Sequence, residues 1–327
     1  MTESSLTAFL EENGLAAPGE SGDWTPLAGG VSSDIWRVTT SRGTFCVKRA
    51  LAKLRVAADW EADVGRNAYE WAYMQTVSAL RPGSVPLPLA HDPARGLFAM
   101  EWLPPGTHPL WKSQLLGGVA DPGFAEMVGD LIGSIHAASA VDPSLPDRFA
   151  TDANFHALRL DAYFLATARV HDDLSDILTG LVRQTAGTKL ALVHGDVSPK
   201  NILAGPDGPV LLDAEVAWFG DPAFDLAFCL THLIIKAKVL DGPGHEITTA
   251  ARLLVERYFR HVNWESPERL SARAAMLLPA LVLARIDGKS PVEYLDNGQQ
   301  GTLRHCARGV LLASPKTIQE SIALLLL

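Results

Sequence analysis

The feature that most constrains this chain is the forty-residue stretch 190–229, LALVHGDVSPKNILAGPDGPVLLDAEVAWFGDPAFDLAFC. Its apolar start, Leu190 to Val193, predicts a short buried strand that delivers His194, Gly195 and Asp196 to a loop. Asn201 follows Asp196 by five residues, and Asp213 lies beyond two further apolar segments, 202–204 and 210–212. Between those segments sits Gly205-Pro206-Asp207-Gly208, which supplies positive φ and a preset bend, so a hairpin is predicted. Such a hairpin returns Asp213 to the neighbourhood of Asn201.

Oxygen-bearing side chains at this spacing suit phosphoryl transfer, where catalysis rests on positioning and on cancelling charge on phosphate oxygens. Mg²⁺ takes octahedral oxygen coordination and keeps several waters, so the amide of Asn201 and the carboxylate of Asp213 suffice beside nucleotide phosphates. Asp196 is then left to orient the acceptor hydroxyl and receive its proton.

The spaced set HGDxxxxN, then D, then GDPxxDLA resembles the catalytic block of aminoglycoside phosphotransferases, choline-kinase-like enzymes and methylthioribose kinases, a branch of the protein-kinase-like fold. The resemblance implies an α+β, two-lobed architecture. Its N-lobe, 1–102, is a small antiparallel sheet with one main helix that covers the nucleotide. Its C-lobe, 103–327, is larger and mostly helical, and carries the catalytic loop and acceptor site. The same resemblance implies ATP and Mg²⁺ as cofactors and Asp196 as the base. It gives the metal to Asn201 and Asp213, and the support of the catalytic loop to His194 and Asp225. The sequence Asp213-Ala214-Glu215 and the stretches VKRALAKLRV, SVPLPLAHDPARGLFAMEWL and HPLWKSQLLGG look closest to methylthioribose kinase, which brings Glu215 in as a further metal contact. The loop HGDVSPKN itself sits nearer the aminoglycoside and choline branches, and one arginine, Arg285, stands where methylthioribose kinases carry a pair. Arg285 and Lys289 are candidates for the acceptor or the transferred phosphate, with an ion pair as the alternative.

Upstream, residues 24–49 alternate apolar and polar around turn signals, as an antiparallel sheet does. In a kinase-like N-lobe, Gly29 and Gly30 fall in the turn whose backbone covers the phosphates, and Phe45-Cys46-Val47-Lys48 takes the place of the third strand, whose lysine meets the α- and β-phosphates. Val64, Trp71, Met74 and Val77 mark a buried helical stripe over 59–80, with Glu70 and Glu61 as candidate partners for Lys48 and Glu70 preferred. Residues 96–103 read as the last strand of the lobe, with Glu101, Trp102 and Leu103 beside the adenine by position. Phe124, Met127, Val128, Leu131, Ile132 and Ile135 predict a core helix over 124–138.

Composition narrows the partner. A chain of 327 residues, 47% hydrophobic and 20% charged, with formal net charge −9, is a globular protein that does not bind nucleic acid unspecifically, and its charge favours a neutral or cationic acceptor. Its three cysteines, Cys46, Cys229 and Cys306, without CxxC spacing, read as reduced thiols in a cytoplasmic protein. No signal peptide, membrane span or repeat is expected. The expected function is transfer of the γ-phosphoryl group of ATP to a hydroxyl of a small sugar-like or aminoglycoside-like acceptor, and a homodimer is allowed. Three alternatives stand: methylthioribose kinase proper, a choline- or ethanolamine-type kinase, and a nucleotide-binding regulator without catalysis.

Overall fold

The computed structural model describes residues 3–27, 33–51, 65–240, 242 and 244–327. Gly29, Gly30, Glu61 and Val64 lie outside the described residues. The chain divides into two compact units, Met1–Pro104 and Pro105–Leu327.

In the first unit, strands β1 (Asp23–Pro26), β2 (Ser33–Thr40), β3 (Gly43–Ala50), β4 (Pro88–Asp92) and β5 (Leu97–Glu101) form one antiparallel sheet in the order β1-β2-β3-β5-β4. Alternation along β3 sorts its side chains. Phe45 and Val47 join Val38, Leu97 and Ala99 in a core closed by Phe9 and Leu10 of helix α1 (Glu3–Glu12). Cys46 and Lys48 point the other way, and the Lys48 ammonium meets Glu70 of helix α2 (Arg66–Leu80). On α2, Met74 and Val77 are buried, while Trp71 is half-buried and stacks on His91 of β4.

In the second unit, helix α3 (Trp111–Leu116) precedes helix α4 (Pro122–Ala140), which is capped by the Asp121 carboxylate accepting from Gly123 N. Phe124, Val128, Leu131, Ile132 and Ile135 of α4 are buried, but Met127 is 45% exposed, so the apolar stripe is one residue narrower than its periodicity suggests. Strand β6 (Ala191–Val193) pairs with β9 (Trp218–Gly220), and β7 (Ile202–Gly205) with β8 (Gly208–Leu211) through the two-residue loop Pro206–Asp207. The Ala223–Val239 helix is buried along most of its length, and the helices Gly244–Phe259 and Pro267–Asp287 pack against it. None of the described helices is long and apolar enough to cross a membrane.

The contact of α4 with the Gly244–Phe259 helix depends on Gly129. A Cβ there would stand 2.2 Å from the carbonyl oxygen of Leu254, which is backbone and cannot rotate away. Gly129→Ala is therefore expected to force the helices apart and cost about 2 kcal/mol, overpacking outweighing the gain of about 1 kcal/mol in helix propensity. A urea melt checks this, and an unchanged midpoint would show that the two backbones do not approach so closely.

Candidate active site

The loop after β6 is held from below by one carboxylate. Asp225, in the first turn of the Ala223–Val239 helix, accepts from the backbone N–H of His194 at 2.7 Å and of Gly195 at 2.8 Å, and lies 3.3 Å from His136 Nε2. His136 is in turn within 2.9 Å of the Tyr258 hydroxyl, so it is a hydrogen-bonded core histidine. Gly195 has φ +77°, and a Cβ there would meet Val216 at 2.8 to 2.9 Å, so only glycine makes this turn.

His194 ties the loop to the hairpin. Burial holds its imidazole neutral against the pull of Asp225, Asp196 and Asp213. Its Nδ1 accepts from the Asp196 N–H at 3.2 Å, and its Nε2–H donates to the Leu212 carbonyl at 3.1 Å, so one tautomer joins the segments that carry Asp196 and Asp213. Asn201 adds a second tie: its side-chain amide donates to the Asp196 carbonyl at 3.1 Å, and its backbone carbonyl accepts from Leu212 N at 2.9 Å. Beyond Leu212, Asp213 adopts φ +66°, unusual for a residue with a side chain.

Asp196 is buried, and its two oxygens differ. Oδ2 meets Lys200 Nζ at 3.0 Å and Arg159 Nη2 at 3.2 Å, whereas Oδ1 is buried with no hydrogen-bond partner. Burial alone would raise its pKa, but Lys200 and Arg159 outweigh both burial and Asp213, and the carboxyl is held below its ordinary range. Arg159 comes from a π-helix, His156–Leu165, a rare geometry that recurs at functional sites. Its Nε donates to the Gly195 carbonyl, and its guanidinium lies 5.6 Å from the Tyr163 ring and 5.7 Å from that of Phe228. Although burial opposes it, the guanidinium pKa is raised by Asp196, Tyr163, Glu215 and Asp213. Asp196 pairs with this arginine directly, and the charges of Asp213 and Glu215 also act on it.

Neither Arg159 nor Lys200 figures in the sequence expectations. Lys200 sits inside the HGDxxxxN spacing, four residues after Asp196, and could have been singled out there. Arg159 has no motif around it.

The remaining candidates take the following places. In the first unit, Lys48 and Glu70 form a buried ion pair at 2.7 to 2.9 Å. Glu101 ends β5, and its backbone N–H and carboxylate both engage Leu87, while Trp102 and Leu103 follow it and are partly exposed. In the second unit, Arg285 is buried and donates to the Tyr163 hydroxyl at 3.2 Å and to Ser290, which places it one ring away from Arg159. Lys289 is more exposed and pairs with Asp161 at 2.7 Å.

The donor set fits a hard cation. An amide oxygen and carboxylates are what Mg²⁺ takes; the charges of Asp196 and Asp213 oppose each other, and one Asp196 oxygen is buried without a partner. Among the described residues, no cluster of three or more His, Cys, Asp or Glu side chains could hold a metal ion.

This strand, turn and hairpin belong to a known class. Residues 23–251 match the family model described as the phosphotransferase enzyme family, and the chain belongs to that family. Methylthioribose kinase 1 of Oryza sativa subsp. japonica is 26% identical over 275 residues, which cover 74% of this chain and 64% of that protein; the chain spans less than two thirds of that relative's length. Among solved structures, amicoumacin kinase in complex with AMP-PNP, Ca²⁺ and Ami is similar at TM-score 0.56, with 14% identity over 97% of this chain and 98% of that one. A choline/ethanolamine kinase family protein from Mesorhizobium loti is similar at TM-score 0.55, with 16% identity over 99% and 98%. These two share the fold, α+β and kinase-like.

Proposed function

We propose that the chain transfers the γ-phosphoryl group of ATP to a hydroxyl of a small molecule. The observation that carries this reading is Asp196, held as an anion at Oδ2 while Oδ1 stays buried and unpartnered beside Asp213. Family membership and the AMP-PNP and Ca²⁺ bound by the similar amicoumacin kinase support a nucleotide and a divalent cation.

In this reading the acceptor hydroxyl lies against Oδ1 of Asp196. Its oxygen forms a bond to the γ-phosphorus, the bond to the bridging β,γ-oxygen breaks, the departing electron pair leaves with ADP, and the proton passes to Asp196. Lys200 and Arg159 keep Asp196 ionised until that moment. Asn201 and Asp213 would hold Mg²⁺, with Glu215 on its water shell, and Mg²⁺ when bound offsets the charge of the β- and γ-phosphates. Asn201 has committed its N–H to Asp196, which leaves its oxygen for the cation. Lys48, fixed by Glu70, is the group this reading gives to the α- and β-phosphates, and the segment Glu101 to Leu103 the one it gives to the adenine. His194 and Asp225 keep the loop in register. Arg285 and Lys289 belong to the acceptor side. Three unpaired cysteines, with Cys46 pushed up to about 12 by burial, fit a reducing cytoplasm.

The test is a panel of hydroxyl acceptors, including methylthioribose, aminoglycosides, choline, homoserine and hydroxy acids, scored by ADP release with and without Mg²⁺. Acceptor-dependent, Mg²⁺-dependent release supports the reading. Nucleotide binding with no release against any acceptor would replace it with a non-catalytic regulator.

A further inference from the structure

Within the second unit, the charges of four basic residues act on one buried histidine. His232, on the Ala223–Val239 helix, is 5% exposed, and its Nε2 is buried without a hydrogen-bond partner. Burial, together with Arg285, Lys236, Lys200 and Lys112, drives its pKa well below the ordinary value, so the imidazole stays neutral. Those cations come from four places in the fold: the Pro267–Asp287 helix, the next turn of the same helix as His232, the catalytic loop, and α3.

Their partners are too few. Lys236 is 1% exposed and donates to the hydroxyl of Tyr294 at 3.1 Å, with the same ring 5.0 Å from its ammonium. Lys112 lies 6.0 Å from that ring and pairs with Glu293, whose side chain is 65% exposed. Arg285 is 7% exposed; its Nη1 is used on Tyr163 and Ser290, but its Nε is buried and unpartnered. Lys200 is shared with Asp196. Among the described residues, Glu293 pairs with Lys112, and its charge is the carboxylate that acts on Lys236 and Arg285 as well. Buried charges are ordinarily paired, and Lys236 responds to burial and to Lys112 and Arg285 with a pKa lowered to about 7.

The cluster adjoins the reacting centre. The His232 ring is 5.3 Å from Phe228, which lies under Arg159, and Arg285 reaches Arg159 through Tyr163. Resting on the phosphotransferase reading above, we propose that this cluster binds an oxyanion of the acceptor, so that the substrate is a hydroxyl compound carrying a carboxylate or phosphate. His232 Nε2, Arg285 Nε and the Lys236 ammonium are the unmet or under-used donors such a group would satisfy. A quaternary ammonium or a polyamine would add to the existing repulsion, which sets the acceptor apart from cationic ones.

The experiment compares paired acceptors that differ by one anionic group: glycerol with glycerate, glucose with gluconate, ribose with ribose 5-phosphate. ADP release is measured for each, and nucleotide-free calorimetric titration for gluconate with glucose and for ribose 5-phosphate with ribose. The expected result is binding or turnover of at least one acidic member at a KM or Kd about tenfold or more below its neutral partner's, a difference of the size charge complementarity gives. Lys236→Met, which keeps the shape of the stem, and Lys112→Gln should each raise that constant about tenfold without altering the Kd for nucleotide. Lys238→Gln on the same helix should leave it unchanged. The proposal is overturned if neutral members do as well as acidic ones, if Lys236→Met and Lys112→Gln leave the acid's constant unchanged, if no acidic member binds or turns over, or if nucleotide Kd weakens in parallel, which would give the cluster to the nucleotide's phosphates. Acid binding with no ADP release from any acceptor would instead count against the phosphotransferase reading and leave the anion site standing.

Discussion

Replacing Asp196 by asparagine is expected to lower turnover about a thousandfold, the middle of the range for losing a positioned general base. Asparagine keeps the shape and fills the same space but cannot take a proton. The acceptor hydroxyl would then have to lose its proton to water in a site that Arg159 and Lys200 already make positive. The fold should survive, because the backbone ties of this residue, from its N–H to His194 and from its carbonyl to Asn201, do not use the carboxylate. Nucleotide affinity should change little for the same reason. In the intact protein the folded-state pKa is depressed, so the carboxylate stays ionised as the pH falls through the ordinary carboxylate range. The stability its ion pairs contribute is full above the unfolded-state value and is lost progressively between that value and the lowered folded-state one. The acid limb of the rate profile set by Asp196 should accordingly lie below that ordinary range. Steady-state kinetics on Asp196→Asn with any active acceptor decide the matter, and a variant retaining a tenth of the activity would remove Asp196 from the chemistry.

How much of this site can be read in the sequence follows from how locally it is encoded. The loop and hairpin are contiguous, and Gly205-Pro206-Asp207-Gly208 announces its own reversal, so the approach of Asp213 to Asn201 was legible. Strand alternation likewise separates Lys48 from Phe45 and Val47. Periodicity does not say how wide a buried face is, however, and Met127 on α4 is apolar yet exposed. Arg159 is not legible in the sequence because nothing near it in the chain explains an arginine within LRLDAYF; its reason is the Gly195 carbonyl and Asp196 carboxylate, 36 residues and more downstream. The basic cluster is more dispersed still. Apart from His232 and Lys236, one turn apart on the same helix, Lys112, Lys200 and Arg285 share no spacing with the cluster, and a net charge of −9 points toward a neutral or cationic acceptor while the field around His232 is positive. Net charge averages over a surface that a buried site does not feel.

The second large effect is expected at Asp225, which touches neither acceptor nor phosphate. Its carboxylate satisfies the N–H groups of His194 and Gly195 and faces His136 Nε2, all in a buried setting. Asp225→Ala leaves two backbone donors without partners, each costing about 1–3 kcal/mol, and a loss of about 3–5 kcal/mol in unfolding free energy follows. Gly195 is already committed to positive φ, so when its N–H is released the turn keeps only its ties to Arg159, His194 and Asn201, and Asp196, the next residue, loses its aim. Turnover should therefore fall at least about a hundredfold even under conditions where the variant is folded, since displacement of a reacting group by about 1 Å has an effect of that size. Urea unfolding followed by circular dichroism gives the first quantity, and ADP release by the folded fraction gives the second. Asp225→Asn serves if the alanine variant does not fold, because it keeps one acceptor oxygen but brings an NH₂ against donors that need a carboxylate. A loss below about 1 kcal/mol would mean that the loop is held by the His194 and Asn201 ties alone. Full stability loss with unchanged turnover per folded molecule would mean that the carboxylate supports the fold but does not aim Asp196. The two measurements together separate holding the loop from positioning the base.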